Sequence, residues 1–239
     1  MIVNLEFRSG VDVELVKASA ADSDVVFAAR VSTQGERTRE AVEDTEKAIS
    51  GLINFLMRER HGSPFEHSVM TFYVKAPIFV WREHMRHRIA SYNEESGRYR
   101  VLEPCFYVPD QDRKLVQIGK AGAYTFELGT PEQHEITDQA FRSACAQAYQ
   151  QYEVMLEAGV AREVARGVLP VTTYSSAYVT MNARAMMNFL SLRRSAEGSH
   201  FPSYPQREIE LVAEKYEAAW EKLMPITHAA FVANGRVAP

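Results

Sequence analysis

Residues 68–88 constrain the fold more than any other stretch of the sequence. Residues 68–76, SVMTFYVKA, are rich in β-branched and aromatic side chains and predict a strand. Pro77 follows at once, and proline is favoured in the first turn of a helix. The next residues, PIFVWREHMRHR, therefore predict a helix over 77–88. A strand leading directly into a basic helix indicates a fold that mixes both elements.

The rest of the chain extends this prediction. Residues 2–7 and 12–20 alternate apolar and polar side chains and predict strands, and residues 101–108 predict another extended piece. Turn chemistry at 92–99 and a polar, glycine-containing stretch at 109–130 predict loops. The helical patterns cover residues 22–32, 37–60, 130–158, 161–169, 181–194 and 203–224. We therefore predict one α+β domain over 1–239, with an antiparallel or mixed sheet in its first half and a helix-rich second half.

Composition excludes several classes of protein. A hydrophobic content of 46% supports a sizeable core, and the two cysteines, Cys105 and Cys145, suggest neither a disulfide framework nor a zinc ribbon. No run approaches the ~18 apolar residues of a membrane span, and the first residues lack the pattern of a secretory signal. The expected location is the cytoplasm of a bacterial or phage-infected cell.

Positive charge is concentrated between residues 81 and 100, although the formal net charge of the chain is −4. The basic side chains of this run are Arg82, His84, Arg86, His87, Arg88, Arg98 and Arg100. Like charges held close together repel, so an anion is expected to answer them. The anion can be a phosphate-bearing ligand, a nucleic acid, or the internal carboxylates of a solvated helix end, and charge pattern alone leaves these open.

Two other types of site are disfavoured. The pattern His84-x-x-His87 beside Glu83 lacks a third ligand at metal-site spacing, so we predict no metal. Cys105 has no histidine or aspartate partner at a recognisable spacing, and a free cysteine is most often a small buried hydrophobe. His61, taken alone, also favours a structural role over a catalytic one.

The helix over 181–194 carries an unusual polar stripe. Arg184, Asn188 and Ser191 stand at i, i+4 and i+7, beside an apolar side that includes Met186 and Phe189. Such a stripe usually faces solvent, but this one is made of hydrogen-bonding groups rather than Lys and Glu. It is therefore a candidate binding face.

The motif Arg86-His87-Arg88, seven residues, then Ser96 resembles the signature of the flavin-dependent thymidylate synthases (ThyX). Other segments resemble that family in its order, namely AARVS, HGSPFEHSVMTFYVKAPIFV, SYNEESGRY, AREVARGVLP and NARAMMNFLSLR. The resemblance implies the ThyX fold and the methylation of dUMP to dTMP. It also implies bound FAD, with 5,10-methylenetetrahydrofolate as carbon donor, NADPH as reductant and no cysteine nucleophile. The implied assembly is a homotetramer with sites shared between subunits.

The same resemblance assigns site residues. The implied FAD contacts are His61, Ser63, Arg86, His87, Arg88, Glu94, Asn182, Arg184 and Asn188. The implied dUMP contacts are Arg82, Glu83, His84, Met85, Arg86, Glu94, Glu95, Ser96, Gly97, Arg98, Arg166 and Arg193. Arg193 matches the arginine thought to polarise the uracil ring at N3, a role that suits a fixed guanidinium. The chain departs from the family in Glu83, where some relatives carry glutamine, and in a longer connection over 194–210.

Two alternatives remain at this point. One is a flavoprotein that binds an anionic nucleotide without methyl transfer. The other is a nucleic-acid-binding module that uses the basic helix, which the interleaved glutamates and the net charge of −4 disfavour.

Overall fold

The computed structural model describes residues 4–36, 45–120 and 123–239. The strands are β1 (Glu6–Arg8), β2 (Asp12–Ser19), β3 (Val69–Pro77), β4 (Ser91–Glu94), β5 (Cys105–Tyr107), β6 (Lys114–Lys120), β7 (Ala123–Leu128) and β8 (Tyr174–Asn182). The helices are α1 (Asp22–Gln34), α2 (Glu46–Arg58), α3 (Ile78–His84), α4 (Pro131–Glu157), α5 (Arg162–Ala165), α6 (Ala183–Arg193), α7 (Arg207–Leu223) and α8 (Pro225–Ala233). The predicted α+β class is confirmed.

The chain forms two compact units that interleave in sequence. The first unit comprises Met1–Gly10, Ala76–Trp81 and Glu95–Ser175, and the second comprises Val11–Lys75, Arg82–Glu94 and Ser176–Pro239. The single domain over 1–239 stays a prediction.

The second unit is built on a four-stranded sheet of order β2-β3-β8-β4, in which β2 pairs antiparallel with β3 and β4 antiparallel with β8. Alternate side chains of β3, including Phe72 and Val74, are fully buried. The ring of Phe72 lies 4.5 Å from that of Tyr216 on α7. Helix α6 buries Met186 and Phe189 as its predicted apolar side requires. Burial of these faces supplies most of the stabilisation of such a layer.

In the first unit, β1 pairs parallel with β5, and β6 pairs antiparallel with β7. Helix α4 begins where predicted, because Thr130 and Gln133 form a reciprocal capping box ahead of Pro131. One face of this helix packs Tyr149 and Tyr152 against Phe106 of β5. Both tyrosine hydroxyls also bond the backbone of residue 102, which ties the following loop to the helix.

Several local predictions were wrong. Within 109–130, predicted as an irregular loop, β6 and β7 pair antiparallel, since the alternation in KLVQIGK and AYTFEL allows pairing despite the polar content. Part of the predicted turn at 92–99 is β4, which is paired by β8. Strand β8 itself and helix α8 were not predicted, and β8 places a central strand of the sheet in the second half of the chain. Of the helix predicted over 37–60, residues 37–44 lie outside the described ranges, and Thr45 caps the part that is seen.

Helix α3 ends at His84, so the helix predicted over 77–88 is four residues too long at its end, and Arg86 lies beyond it. The Tyr92 hydroxyl explains the early end. It lies 3.0 Å from the carbonyl oxygen of His84 and 2.9 Å from that of His87. The single hydroxyl proton is shared between these two carbonyls, which a helix end leaves without the N–H partners that a further helical turn would supply. Residues 86–88 therefore lie in the loop that follows.

Candidate active site

The predicted catalytic residue, Arg193, lies at the last position of α6 and is held by Glu83 of α3 and by His87 of the loop that follows α3. Its Nη1 is 2.8 Å from Oε2 of Glu83, and its Nε donates to Nε2 of His87 at 3.1 Å. Only 18% of the Arg193 side chain and 25% of the Glu83 side chain are exposed. The guanidinium is thus fixed in a region where water screens charge weakly.

His87 acts in this arrangement as a neutral acceptor. Its Nε2 accepts from Arg193, which places the ring proton on Nδ1. Burial, together with the positive charges of Arg193 and Arg86, lowers the pKa of His87 to about 4. The imidazole therefore stays uncharged at neutral pH and can orient Arg193 without repelling it.

A cavity of about 300 Å³ has His87, the hydrogen-bond partner of Arg193, in its lining, whereas Arg193 itself does not line it. It is lined by residues 86–90, which follow α3, and by Met181, Ala185, Asn188 and Phe189 of β8 and α6. His87 thus both lines the cavity and contacts Arg193. Guanidinium and amide groups on an aromatic-walled cavity suit an anionic, planar ligand.

His84 takes a structural position instead of lining this cavity. Its side chain is fully buried. Its Nδ1 lies 3.2 Å from the hydroxyl of Tyr92, and its Nε2 lies 3.0 Å from the hydroxyl of Tyr216. Burial, followed by the charge of His87, lowers the pKa of His84 to about 3. The structure therefore places the side chain of His84 in the core of the second unit, and its implied contact with dUMP stays a prediction.

The polar stripe of α6 is also occupied by protein groups. Arg184 donates from Nε to the carbonyl oxygen of Pro239 at 2.7 Å and pairs through Nη1 with Glu66. Asn182 is the N-cap of α6, with its side-chain oxygen accepting from the backbone N–H of Ala185 at 2.8 Å. The amide of Asn188 donates to the carbonyl oxygen of Arg184 at 3.1 Å.

His61 and Ser63 lie in the segment after α2, and neither lines the cavity. His61 is exposed, and its ring meets Phe55 edge-on at 5.8 Å. Ser63 opens a short 3₁₀ helix that ends at Glu66. Arg82, Met85 and Glu94 are exposed in the second unit.

The remaining predicted nucleotide contacts belong to the first unit, namely Glu95, Ser96, Gly97, Arg98 and Arg166. Ser96 accepts the backbone N–H of Arg98 at 3.3 Å, and Arg98 pairs with Glu163 at 2.9 Å. Gly97 is buried, and a Cβ added there would lie 3.1 Å from Cδ of Arg166. The loop and Arg166 are therefore in close contact.

Three residues that matter at the site were not singled out from the sequence. Tyr92 ends α3, Tyr216 holds His84, and Glu66 pairs with Arg184. Tyr92 lies inside the recognised SYNEESGRY segment, so proximity to the motif was its only signal. Tyr216 and Glu66 are distant in sequence from their partners, so no local sequence signal pointed to them.

Within the described ranges, no helix is long and apolar enough to cross a membrane. The same residues include no group of three or more His, Cys, Asp or Glu side chains able to hold a metal ion.

The model of the family described as thymidylate synthase complementing protein matches residues 14–226. A flavin-dependent thymidylate synthase of Streptomyces coelicolor is 62% identical over 236 residues, which cover 98% of this chain and 96% of the relative. One from Tropheryma whipplei is 61% identical over 234 residues, covering 98% and 97%. The chain belongs to the flavin-dependent thymidylate synthases. The resemblance noted from its motif is confirmed, and the chain is an enzyme of this family.

Solved structures similar to this chain agree with the fold. The UMP/dUMP methylase PolB of Streptomyces cacaoi, bound with 5-Br dUMP, is 53% identical, with a TM-score of 0.93 over 98% of this chain and all of that one. The same methylase bound with 5-Br UMP gives 51% identity and a TM-score of 0.90 over 99% of this chain and 100% of that one. These likenesses confirm the ThyX fold.

Proposed function

We propose that this chain methylates dUMP to dTMP, with 5,10-methylenetetrahydrofolate as carbon donor and NADPH as reductant, through bound FAD. The observation that carries the proposal is the contact between Arg193 and His87, since His87 also lines the cavity. The residue implied to act on the pyrimidine thus lies beside the residues implied to hold the flavin. The substrate and cofactor named for similar enzymes agree with this arrangement.

The residues around the cavity fit part of a flavin dinucleotide. Arg86, Arg88 and Asn188 supply donors for phosphate or ring oxygens, and Phe189 supplies an aromatic wall. A volume of about 300 Å³ is too small for a whole dinucleotide, so the rest of the cofactor would lie outside it. We propose that these residues bind the part of the flavin dinucleotide that the cavity holds, and that Arg184 is a further contact to one of its anionic groups. When bound, the flavin supplies the hydride chemistry that side chains lack.

Arg193 polarises the uracil ring and stabilises the negative charge on it, so that C5 is nucleophilic enough to form a bond to the methylene carbon of the folate donor. The bond between that carbon and the folate breaks, tetrahydrofolate leaves, and the C5 proton is lost to water. The supporting geometry is a guanidinium already fixed by Glu83 and His87, so little reorganisation is needed as charge develops. Glu83 and His87 are then positioning residues of Arg193.

Binding of the nucleotide phosphate is assigned to the loop over 95–98 and to Arg166 in the first unit. Arg98 and Arg166 supply guanidinium groups, and the hydroxyl of Ser96 supplies a donor. The buried Gly97 lets the loop backbone approach Arg166 closely. The local excess of positive charge is thereby answered by small anionic ligands.

The reaction proceeds without a cysteine nucleophile. Both Cys105 and Cys145 are buried. Burial raises the pKa of the Cys145 thiol, which hydrogen-bonds to Thr172 at 3.3 Å. A thiol with a raised pKa is a poor nucleophile. We further propose that residues 1–239 act as one synthase domain in a cytoplasmic homotetramer with shared sites.

A second candidate function is methylation of UMP. The observation that favours it is the similarity to a methylase described as acting on both UMP and dUMP. The two candidates differ only in the 2′-hydroxyl of the substrate, so parallel assays with the two nucleotides separate them.

The test begins with purified protein supplemented with FAD and desalted. We expect a retained flavin absorption band that shifts on addition of dUMP, and dTMP formation when folate donor and NADPH are present. Arg193→Ala is expected to retain the flavin and to lose about a hundredfold or more in turnover. A colourless protein would contradict the cofactor assignment, and parental turnover in Arg193→Ala would contradict the role of that arginine.

A further inference from the structure

Residues 236–239 lie along the polar stripe of α6 and are bonded to it at two points. Ser191 Oγ donates to the carbonyl oxygen of Arg236 at 2.7 Å, and Arg184 Nε donates to that of Pro239 at 2.7 Å. The two helical residues are seven positions apart, which is about 10 Å along a helix. Three extended residues span about the same distance. The segment therefore matches the helix face that it covers.

The start of this segment is firmly held. The Arg236 guanidinium lies 2.7 Å from Oε1 of Glu217 on α7, and its side chain is only 7% exposed. Burial alone would raise the pKa of Glu217, but hydrogen bonds and charges from His228 and Arg236 lower it to about 2. Glu217 is therefore ionised at neutral pH and keeps Arg236 in place.

The end of the segment, at Pro239, packs tightly against Arg184 and Gly62. A Cβ added at Gly62 would lie 2.5 Å from Cζ of Arg184 and 2.7 Å from the carbonyl oxygen of Pro239. Glu66, four residues beyond Gly62, pairs with Nη1 of the same guanidinium. Arg184 is thus confined by a glycine, a carboxylate and a backbone carbonyl.

The guanidinium is confined but still available to a ligand. Its side chain is 41% exposed, and its other N–H groups make no bond to any residue that the structure describes. Ala185 and Asn188, its neighbours on α6, line the cavity. A cation fixed at this position and open on one side can receive an anion at low entropic cost.

We infer that residues 236–239, together with Gly62 and Glu66, position Arg184 to bind an anionic group of the flavin. The inference rests on the proposed function for the identity of the ligand. Its distinctive consequence is that the segment acts through Arg184, and not only through the stability of the fold.

A double-mutant cycle on FAD affinity tests this consequence. The four proteins are the parent, a variant lacking residues 237–239, Arg184→Ala, and the combination. The deletion leaves Arg236 and its contacts with Ser191 and Glu217 intact. We expect the deletion to weaken FAD binding about tenfold in the parent and less than about twofold in the Arg184→Ala background. Equal losses in both backgrounds, or no loss in the parent, would overturn the inference.

Two glycine variants keep the test independent of the deletion. A Cβ at residue 62 would clash with both Arg184 and Pro239, so Gly62→Ala displaces the guanidinium and is expected to weaken FAD binding in the same Arg184-dependent way. A Cβ added at Gly51 on α2 would have no atom within 4 Å of it, so Gly51→Ala is expected to leave the FAD affinity unchanged. Thermal melting confirms that each variant is folded. A parent that retains no flavin would overturn this inference with the cofactor assignment, whereas a parent that retains flavin but makes no dTMP would overturn only the proposed reaction.

Discussion

Arg193 and Glu83 form a part-buried ion pair, with Nη1 of the arginine 2.8 Å from Oε2 of the glutamate. The carboxylate fixes the guanidinium but also offsets part of its charge. Charge-assisted hydrogen bonds of this kind are directional and stronger than neutral ones. Glu83 thereby weakens the electrostatic effect of Arg193 but gives its guanidinium a defined orientation.

Glu83→Ala is expected to lower turnover about tenfold or more while flavin retention is unchanged, because among the described residues Arg193 then keeps its side-chain bond to His87 alone. Glu83→Gln retains an acceptor oxygen and should recover part of the lost rate. Steady-state rates of dTMP formation at saturating dUMP measure both effects. Asp138→Asn, which alters an exposed ion pair with Arg142 on α4, is the matched control. Parental turnover in Glu83→Ala would show that Arg193 needs no such partner.

Gly97→Ala is expected to raise the KM for dUMP several-fold, with a smaller change in kcat. Its Cβ would meet Cδ1 of Leu102 at 3.0 Å and Cδ of Arg166 at 3.1 Å, so the loop and the arginine must move apart by tenths of an ångström. Small misplacements of binding groups are costly. Gly167→Ala is the control for the loss of a nearby glycine, because a Cβ added at Gly167 would have no atom within 4 Å of it. If Gly97→Ala and Gly167→Ala have similar KM values for dUMP, Gly97 has no specific role in nucleotide binding.

Stability is expected to fall as the pH falls below about 6.5, the ordinary pKa of histidine. The folded-state pKa is lowered to about 3 for His84 and to about 4 for His87. The unfolded chain therefore binds protons that the folded chain rejects, and the stabilisation present above pH 6.5 is lost progressively towards these values. For the fully buried His84 the slope approaches about 1.4 kcal/mol per pH unit. The contribution of the partly exposed His87 is smaller because solvent screens it.

Denaturant unfolding at a series of pH values measures this slope, and the ring resonances of His84 give a direct test by NMR. We expect the folded protein to show no titration of His84 between pH 7 and pH 4.5. His87→Gln should reduce the slope and leave the His84 resonances in place. A midpoint for His84 near 6.5 would contradict the buried hydrogen-bonded ring seen between Tyr92 and Tyr216.

Cys105→Ala and Cys145→Ala are each expected to turn over dUMP within about twofold of the parent, because neither buried thiol is placed for nucleophilic attack. Cys145→Ala also loses the contact with Thr172 and should melt at a lower temperature. Turnover and thermal melting are measured on the same samples. A folded but inactive Cys105→Ala protein would restore that cysteine as a nucleophile.

Many elements followed from the sequence alone. We could predict the strand β3, the capped start of α4 and the apolar side of α6. Each depends on residues only a few positions apart, and periodicity and capping act over that distance. The family was also readable, because Arg86-His87-Arg88 and Ser96 stand close together along the chain.

Tertiary structure decided the rest. The end of α3 depends on Tyr92, β4 exists because β8 pairs with it, and Arg193 meets Glu83 across 110 positions of the chain. Arg184 is confined by Glu66 and by the backbone of Pro239, neither of which has a local signature. Sequence patterns report the interactions of neighbours along the chain, whereas these contacts form only when burial of the sheet and of α6 brings distant segments together.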